Sequence, residues 1–115
     1  MKKNKTGLLT MCLKAGRMTL GMDLAKDMCR NGEAFGVFVA SDLSEKSLKE
    51  IKYYCGRYET PLYSVGMTMD ELGTALGKRS GIIAVSDKGF AKSCAEGLDR
   101  IETDRMEDQI NGSNN

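Results

Sequence analysis

The sequence predicts an α/β fold in which one sheet lies between two helical layers. Three observations point there. The first is the stretch Phe35-Gly36-Val37-Phe38-Val39-Ala40, which is nearly unbroken apolar sequence. A strand with one wet face alternates apolar and polar residues. This one does not, so both its faces are expected to be covered, as in a central strand. The second is Gly81-Ile82-Ile83-Ala84-Val85, a run of the same kind. The third is the order of segments, in which runs with helical spacing alternate with short strand-like runs as α-β-α-β-α-β-α-β-α. Short connections and right-handed crossovers limit the topology further.

Taken in order, residues 1–5 read as a disordered basic start. Thr6 or Asn4 can cap a first helix carrying Leu8, Leu9, Cys12 and Leu13, which Ala15-Gly16 ends. Arg17 to Leu20 is a short strand between two glycines. A second helix runs from Met22 to Arg30, with Leu24, Met28 and Cys29 apolar and Asp23, Lys26, Asp27 and Arg30 polar, and Asn31-Gly32 stops it. After the central strand, Ser41 to Ser44 offers several helix caps. The third helix, Glu45 to Arg57, buries Leu48, Ile51 and Cys55 and continues that stripe to Tyr58, while Lys46, Lys49, Glu50 and Lys52 form a solvated face. Pro61 opens the next strand, through Val65, where it loses no ladder bond. Thr68-Met69-Asp70-Glu71 has the form of a capping box, so a fourth helix runs to Leu76 and closes at Gly77. After the last strand, Ser86-Asp87 caps a fifth helix, which carries Phe90, Cys94, Leu98 and Ile101 inward. Residues 1–101 read as one domain and residues 102–115 as a flexible acidic and polar tail.

Composition excludes more than it specifies. At 115 residues, with 41% hydrophobic and 29% charged, the chain is ordinary for a soluble globular domain. No apolar run approaches a membrane span and no signal peptide is recognisable, so a cytoplasmic location and no membrane partner are expected. The absence of histidine removes the commonest transition-metal ligand and general base. Cys12, Cys29, Cys55 and Cys94 form no metal-binding spacing and read as small buried hydrophobes. No cofactor or metal is expected. Net charge is +1, but residues 1–30 carry seven Lys/Arg against two Asp, and residues 99–115 carry two against five. The basic front suits an anionic partner.

Catalytic motifs fail on spacing. Gly73 and Gly77-Lys78 are one residue too close for a phosphate-binding loop and fall within a helix. Ser86-Asp87-Lys88 and Ser41-Asp42 read as helix caps rather than nucleophiles. The carboxylates lie scattered among Lys and Arg, so no acid/base pair stands out. An enzyme is not expected.

Five segments together carry a resemblance. They are Leu13-Lys14-Ala15-Gly16-Arg17-Met18-Thr19-Leu20-Gly21, the strand ending Ala40-Ser41-Asp42, Pro61-Leu62, Asp70-Glu71-Leu72-Gly73-Thr74-Ala75-Leu76-Gly77-Lys78, and Ala84-Val85-Ser86-Asp87-Lys88-Gly89-Phe90-Ala91. Their order and spacing over residues 6–98 resemble the kink-turn-binding ribosomal-protein superfamily, and within it the bacterial YlxQ-like branch. The resemblance implies a three-layer α/β/α sandwich around a four-stranded mixed sheet. It implies a non-catalytic protein that docks on a kinked or structured RNA, ribosomal RNA included, in the setting of the ribosome or translation-associated proteins. A protein-interaction module of the same fold with reduced RNA affinity is the alternative.

The resemblance places RNA at the entrance to the second helix and at the loop before the last strand. The family pattern at the entrance is Gly, any residue, Asn, Glu, two of any kind, then Lys. Gly21 matches it, whereas Asp23, Leu24 and Asp27 stand where Asn, Glu and Lys are usual. Lys26 lies one position before that Lys. The expected contacts are therefore Lys14, Arg17, Gly21, Asp23, Lys26 and Arg30 at the entrance, with Lys78, Arg79 and Ser80 in the loop.

Overall fold

The computed structural model describes residues 5–103. Five helices and five strands alternate along the chain: α1 (Thr6–Lys14), β1 (Met18–Leu20), α2 (Met22–Arg30), β2 (Gly36–Val39), α3 (Glu45–Arg57), β3 (Leu62–Ser64), α4 (Met69–Leu76), β4 (Ile82–Val85), α5 (Lys88–Ala95) and β5 (Asp99–Arg100). The strands form one mixed sheet in the order β1-β4-β2-β3-β5. Only β2 and β3 run parallel; every other neighbouring pair is antiparallel.

The two apolar runs account for the centre of the sheet. All four residues of β2 and all four of β4 are buried, because helices cover both faces. Side chains alternate across the sheet and sort into two cores. Phe38, Ile83 and Val85 pack with Leu9, Cys12, Leu72 and Cys94 under α1, α4 and α5. Val37, Val39 and Ala84 pack with Ala25, Cys29, Ile51 and Cys55 under α2 and α3. This is the expected three-layer sandwich.

All four cysteines are free and buried. Burial pushes the Cys12 thiol up to about 11. Cys29 and Cys55 meet between α2 and α3, where their hydrogen bond lowers Cys29 and raises Cys55.

The sheet has five strands where four were expected. The fifth helix stops at Ala95, and Gly97 (φ +81°) reverses the chain. Asp99-Arg100 then pairs with β3 at Ser64 and Tyr63, and Ile101 N–H donates to Leu62 O at 2.8 Å. Leu98 still packs on the first core, but Ile101 joins the second, on the far side of the sheet. One inward helical stripe could not have reached both.

The start of the chain also differs. Lys5, expected to be disordered, is buried and its Nζ donates to Ser93 O at 3.1 Å. It stands at the cap position of α1 with no side-chain cap bond, Thr6 is the first helical residue, and Asn4 lies outside the described residues. The first four residues of the basic start, and residues 104–115 of the expected tail, lie outside the described residues.

Candidate nucleic-acid interface

Antiparallel pairing brings two distant segments together. Because β1 runs against β4, the end of β1 lies beside the start of β4. Gly21 N–H donates to Ile82 O at 2.9 Å, so the entrance to α2 is tied to the strand that the 77–81 loop feeds. On the other side Ala40 N–H donates to Gly81 O at 2.9 Å. The loop therefore sits between the entrance to α2 and the exit of β2.

The entrance to α2 is open. Gly21 takes φ +108° and ψ 157°, a conformation that is essentially glycine-only. No side chain caps the helix, so the N–H groups of its first turn face outward with the positive end of the helix dipole. Asp23 is the acidic residue of that turn. The neighbouring α4 differs: Thr68 and Glu71 close a capping box, and Asp42 Oδ1 accepts from Met69 N–H at 2.9 Å.

Loop position is fixed by a close approach. A Cβ on Gly73 of α4 would stand 3.1 Å from Arg79 Cα and 3.2 Å from Arg79 N. The absence of a side chain there lets the loop backbone lie against the helix.

Among the expected contact residues, Gly21, Asp23, Lys78 and Arg79 converge at this end of the sheet. Lys26 follows one helical turn into α2, about 6 Å along the axis. Its Nζ is bound to Glu50 of α3 at 2.5 Å, which holds its pKa above the usual lysine value. Arg79 Nε is likewise bound to Asp70 Oδ1 at 2.7 Å, which raises the guanidinium. That pair is exposed and can be exchanged for a phosphate at little cost. Lys78 is exposed and forms no ion pair with another described residue.

Three expected contacts lie elsewhere. Arg17 precedes β1 and Gly21 follows it, so about 13 Å of extended chain separates them. Arg17 O accepts from Ser86 N–H at 2.9 Å, at the opposite end of the sheet. Lys14 ends α1 at that same end. Arg30 closes α2, about 12 Å from its first residue, and pairs with Asp27. Ser80 is at the right end but is buried: its hydroxyl donates to Ile82 O at 2.9 Å, so it shapes the loop from within.

Sequence reasoning missed two features. Glu50 and Asp70, which neutralise Lys26 and Arg79, are 24 and 9 residues away from them in the chain, and only Asp70 lies in a motif. Leu24 and Phe35 are 53% and 44% exposed beside a shallow groove of about 610 Å³ that Arg17, Asp27 and Glu33 also line. The position of Leu24 where the family pattern has Glu was the available signal.

Known proteins share both sequence and fold. RNA-binding protein YlxQ of Enterococcus faecium is 30% identical over 95 residues, covering 83% of this chain and 91% of that protein. Large ribosomal subunit protein eL30 of Candida albicans is 31% identical over 90 residues, covering 76% and 85%. A solved structure of a protein with unknown function from Bacillus halodurans superposes with a TM-score of 0.73 at 30% identity, covering 78% and 91%. The 15.5 kD RNA binding protein of Giardia lamblia shares the fold, with a TM-score of 0.66 at 17% identity over 79% and 78%. Residues 4–95 match the family model itself, and this chain belongs to the Ribosomal protein L7Ae/L30e/S12e/Gadd45 family.

Proposed function

We propose that this protein binds a structured RNA, without catalysing a reaction on it, through the entrance to α2 and the adjoining 77–81 loop. The observation that carries this reading is the Gly21–Ile82 hydrogen bond, which sets an uncapped helix N-terminus beside Lys78 and Arg79. Outward N–H groups and two exposed cations form a phosphate-binding rim. The YlxQ relative, named an RNA-binding protein, supports it at 30% identity.

The rim favours phosphates and shape over base identity. Leu24 cannot donate or accept, and Asp27 is already paired with Arg30. Asp23 is the remaining first-turn group that can accept from a guanine N–H. Specificity for a kinked helix would therefore come from fitting the bend, with the 260/280 nm absorbance ratio of the purified protein reporting any RNA carried along.

The test is a titration of a labelled kink-turn hairpin against a straight duplex of equal length. Lys78→Glu with Arg79→Glu should weaken hairpin binding at least tenfold while the thermal midpoint stays put. The log–log salt slope should shrink by about 0.7 to 0.9 for each phosphate that the variant no longer neutralises. Unchanged affinity would remove the loop from the interface.

A second reading, a protein-docking module, is favoured by exposed Leu24 and Phe35. It predicts that Leu24→Glu abolishes capture of a protein partner and leaves hairpin affinity unchanged.

A further inference from the structure

The outer side of α3 carries a pattern that the family pattern above does not include. Lys46, Lys49, Tyr53 and Arg57 recur at spacings of three, four and four residues, which puts them on one helical face. All four are exposed, Tyr53 by 45%. Glu50 shares that side of the helix, but Lys26 holds its carboxylate at 2.5 Å. No ion pair to a described residue engages Lys46, Lys49 or Arg57. The face therefore presents three uncompensated cations around an open aromatic ring.

The ring does not stand alone. Tyr53 meets Tyr54 edge to face at 5.6 Å, and Tyr54 lies 6.2 Å from Tyr58. Cations sit over these rings: Lys26 at 5.0 Å and Arg30 at 5.8 Å from the Tyr54 centroid, and Arg57 at 5.6 Å from that of Tyr58. Lys26 and Arg30 belong to α2, so cations of α2, the nearer of them one turn beyond the helix entrance, meet the rings that α3 carries.

We propose that the outer face of α3 binds single-stranded RNA extending from the structured element held at the α2 entrance. This rests on the RNA-binding reading above and deepens it. Alternating cations and an exposed aromatic ring are the chemistry of sequence-tolerant single-strand binding, in which phosphates meet Lys and Arg and a base stacks on the ring. Lys46 to Arg57 spans about 16 Å of helix. At about 3.4 Å per nucleotide, that length serves about five stacked bases. An acidic peptide would satisfy the cations but would leave the Tyr53 ring unused.

Two probes separate this inference from the reading beneath it: a blunt kink-turn hairpin, and the same hairpin with a ten-uridine single-stranded extension. The wild-type chain should bind the extended probe about tenfold more tightly. Tyr53→Ala with Arg57→Ala should abolish that gain and leave the blunt hairpin unaffected, whereas Tyr53→Phe, which keeps the ring, should retain it. Lys78→Glu with Arg79→Glu should instead weaken both probes. The inference is overturned if the extension adds nothing, or if its gain survives loss of Tyr53. It is also overturned if the double alanine variant loses affinity for polyglutamate but not for the extension. Failure of the wild-type chain to bind either probe sinks both readings together.

Discussion

Two helix entrances open at the same end of the sheet and are finished in opposite ways. At α4, Thr68 Oγ1 accepts from Glu71 N–H at 3.1 Å, Glu71 Oε1 accepts from Thr68 N–H at 2.9 Å, and Asp42 adds a third acceptor. At α2, Gly21 has no side chain to accept anything, and its backbone conformation excludes most residues that could. The chain saturates one entrance with its own oxygens and leaves the other without a side-chain acceptor, which the proposed phosphate contact at α2 requires. Capping costs a protein nothing in sequence space, since Ser, Thr, Asp and Asn all serve. At α1 a side-chain cap is also missing, so it is the combination at α2 of a missing cap, a glycine-only backbone conformation and the adjoining Lys78 and Arg79 that the proposed binding uses.

The contrast can be broken most forcefully at Gly21. Gly21→Ala meets no steric obstacle, since nothing lies within 4 Å of the added Cβ, so its whole effect is conformational. It should cost about 2 kcal/mol in chemical denaturation and weaken hairpin binding in parallel, because the first turn must reorient. Thr68→Ala should be smaller and one-sided. Loss of the capping box should cost about 1 kcal/mol, with hairpin affinity within twofold of wild type. If Thr68→Ala weakens RNA binding as much as Gly21→Ala does, the two entrances are not functionally distinct. The mildest change is Asp23→Asn, which removes a favourable charge from the α2 dipole at about 0.5 kcal/mol. Because the same carboxylate repels an incoming phosphate, hairpin affinity should rise about threefold, measured at low salt where the effect is least screened.

The sequence made these entrances visible to different degrees. The Thr68–Glu71 box is a local pattern, and its caps sit where the spacing puts them. Likewise α3 and α4 run over the expected residues, since their stripes and stops are local. What escaped was non-local. Nothing in Asp99-Arg100 reads as a strand: both residues are charged and exposed, and their pairing with β3 depends on a turn at Gly97. The basic residues around α2 were legible as a set but not as a place. Lys14 and Arg17 look adjacent to Gly21 along the chain, yet a strand carries them to the far end of the sheet. Arg79 and Lys26 look free in sequence, and their carboxylate partners come from other elements. Lys46 and Lys49 read as part of an ordinary solvated face with Glu50 and Lys52, because the contacts of Lys26 and Arg30 with Tyr54 come from another helix and cannot be seen from α3 alone.

The two-residue β5 has a consequence for how this sheet meets other molecules. By lying against β3 it masks one border with a pair of opposite charges, and β1 remains the unguarded border. The sheet is thereby given a direction. Any chain that adds to it in register must come in beside Met18–Leu20, next to the same corner at which the α2 donors point outward. Strand addition at that edge and ligand access to the α2 entrance would then compete for one side of the molecule.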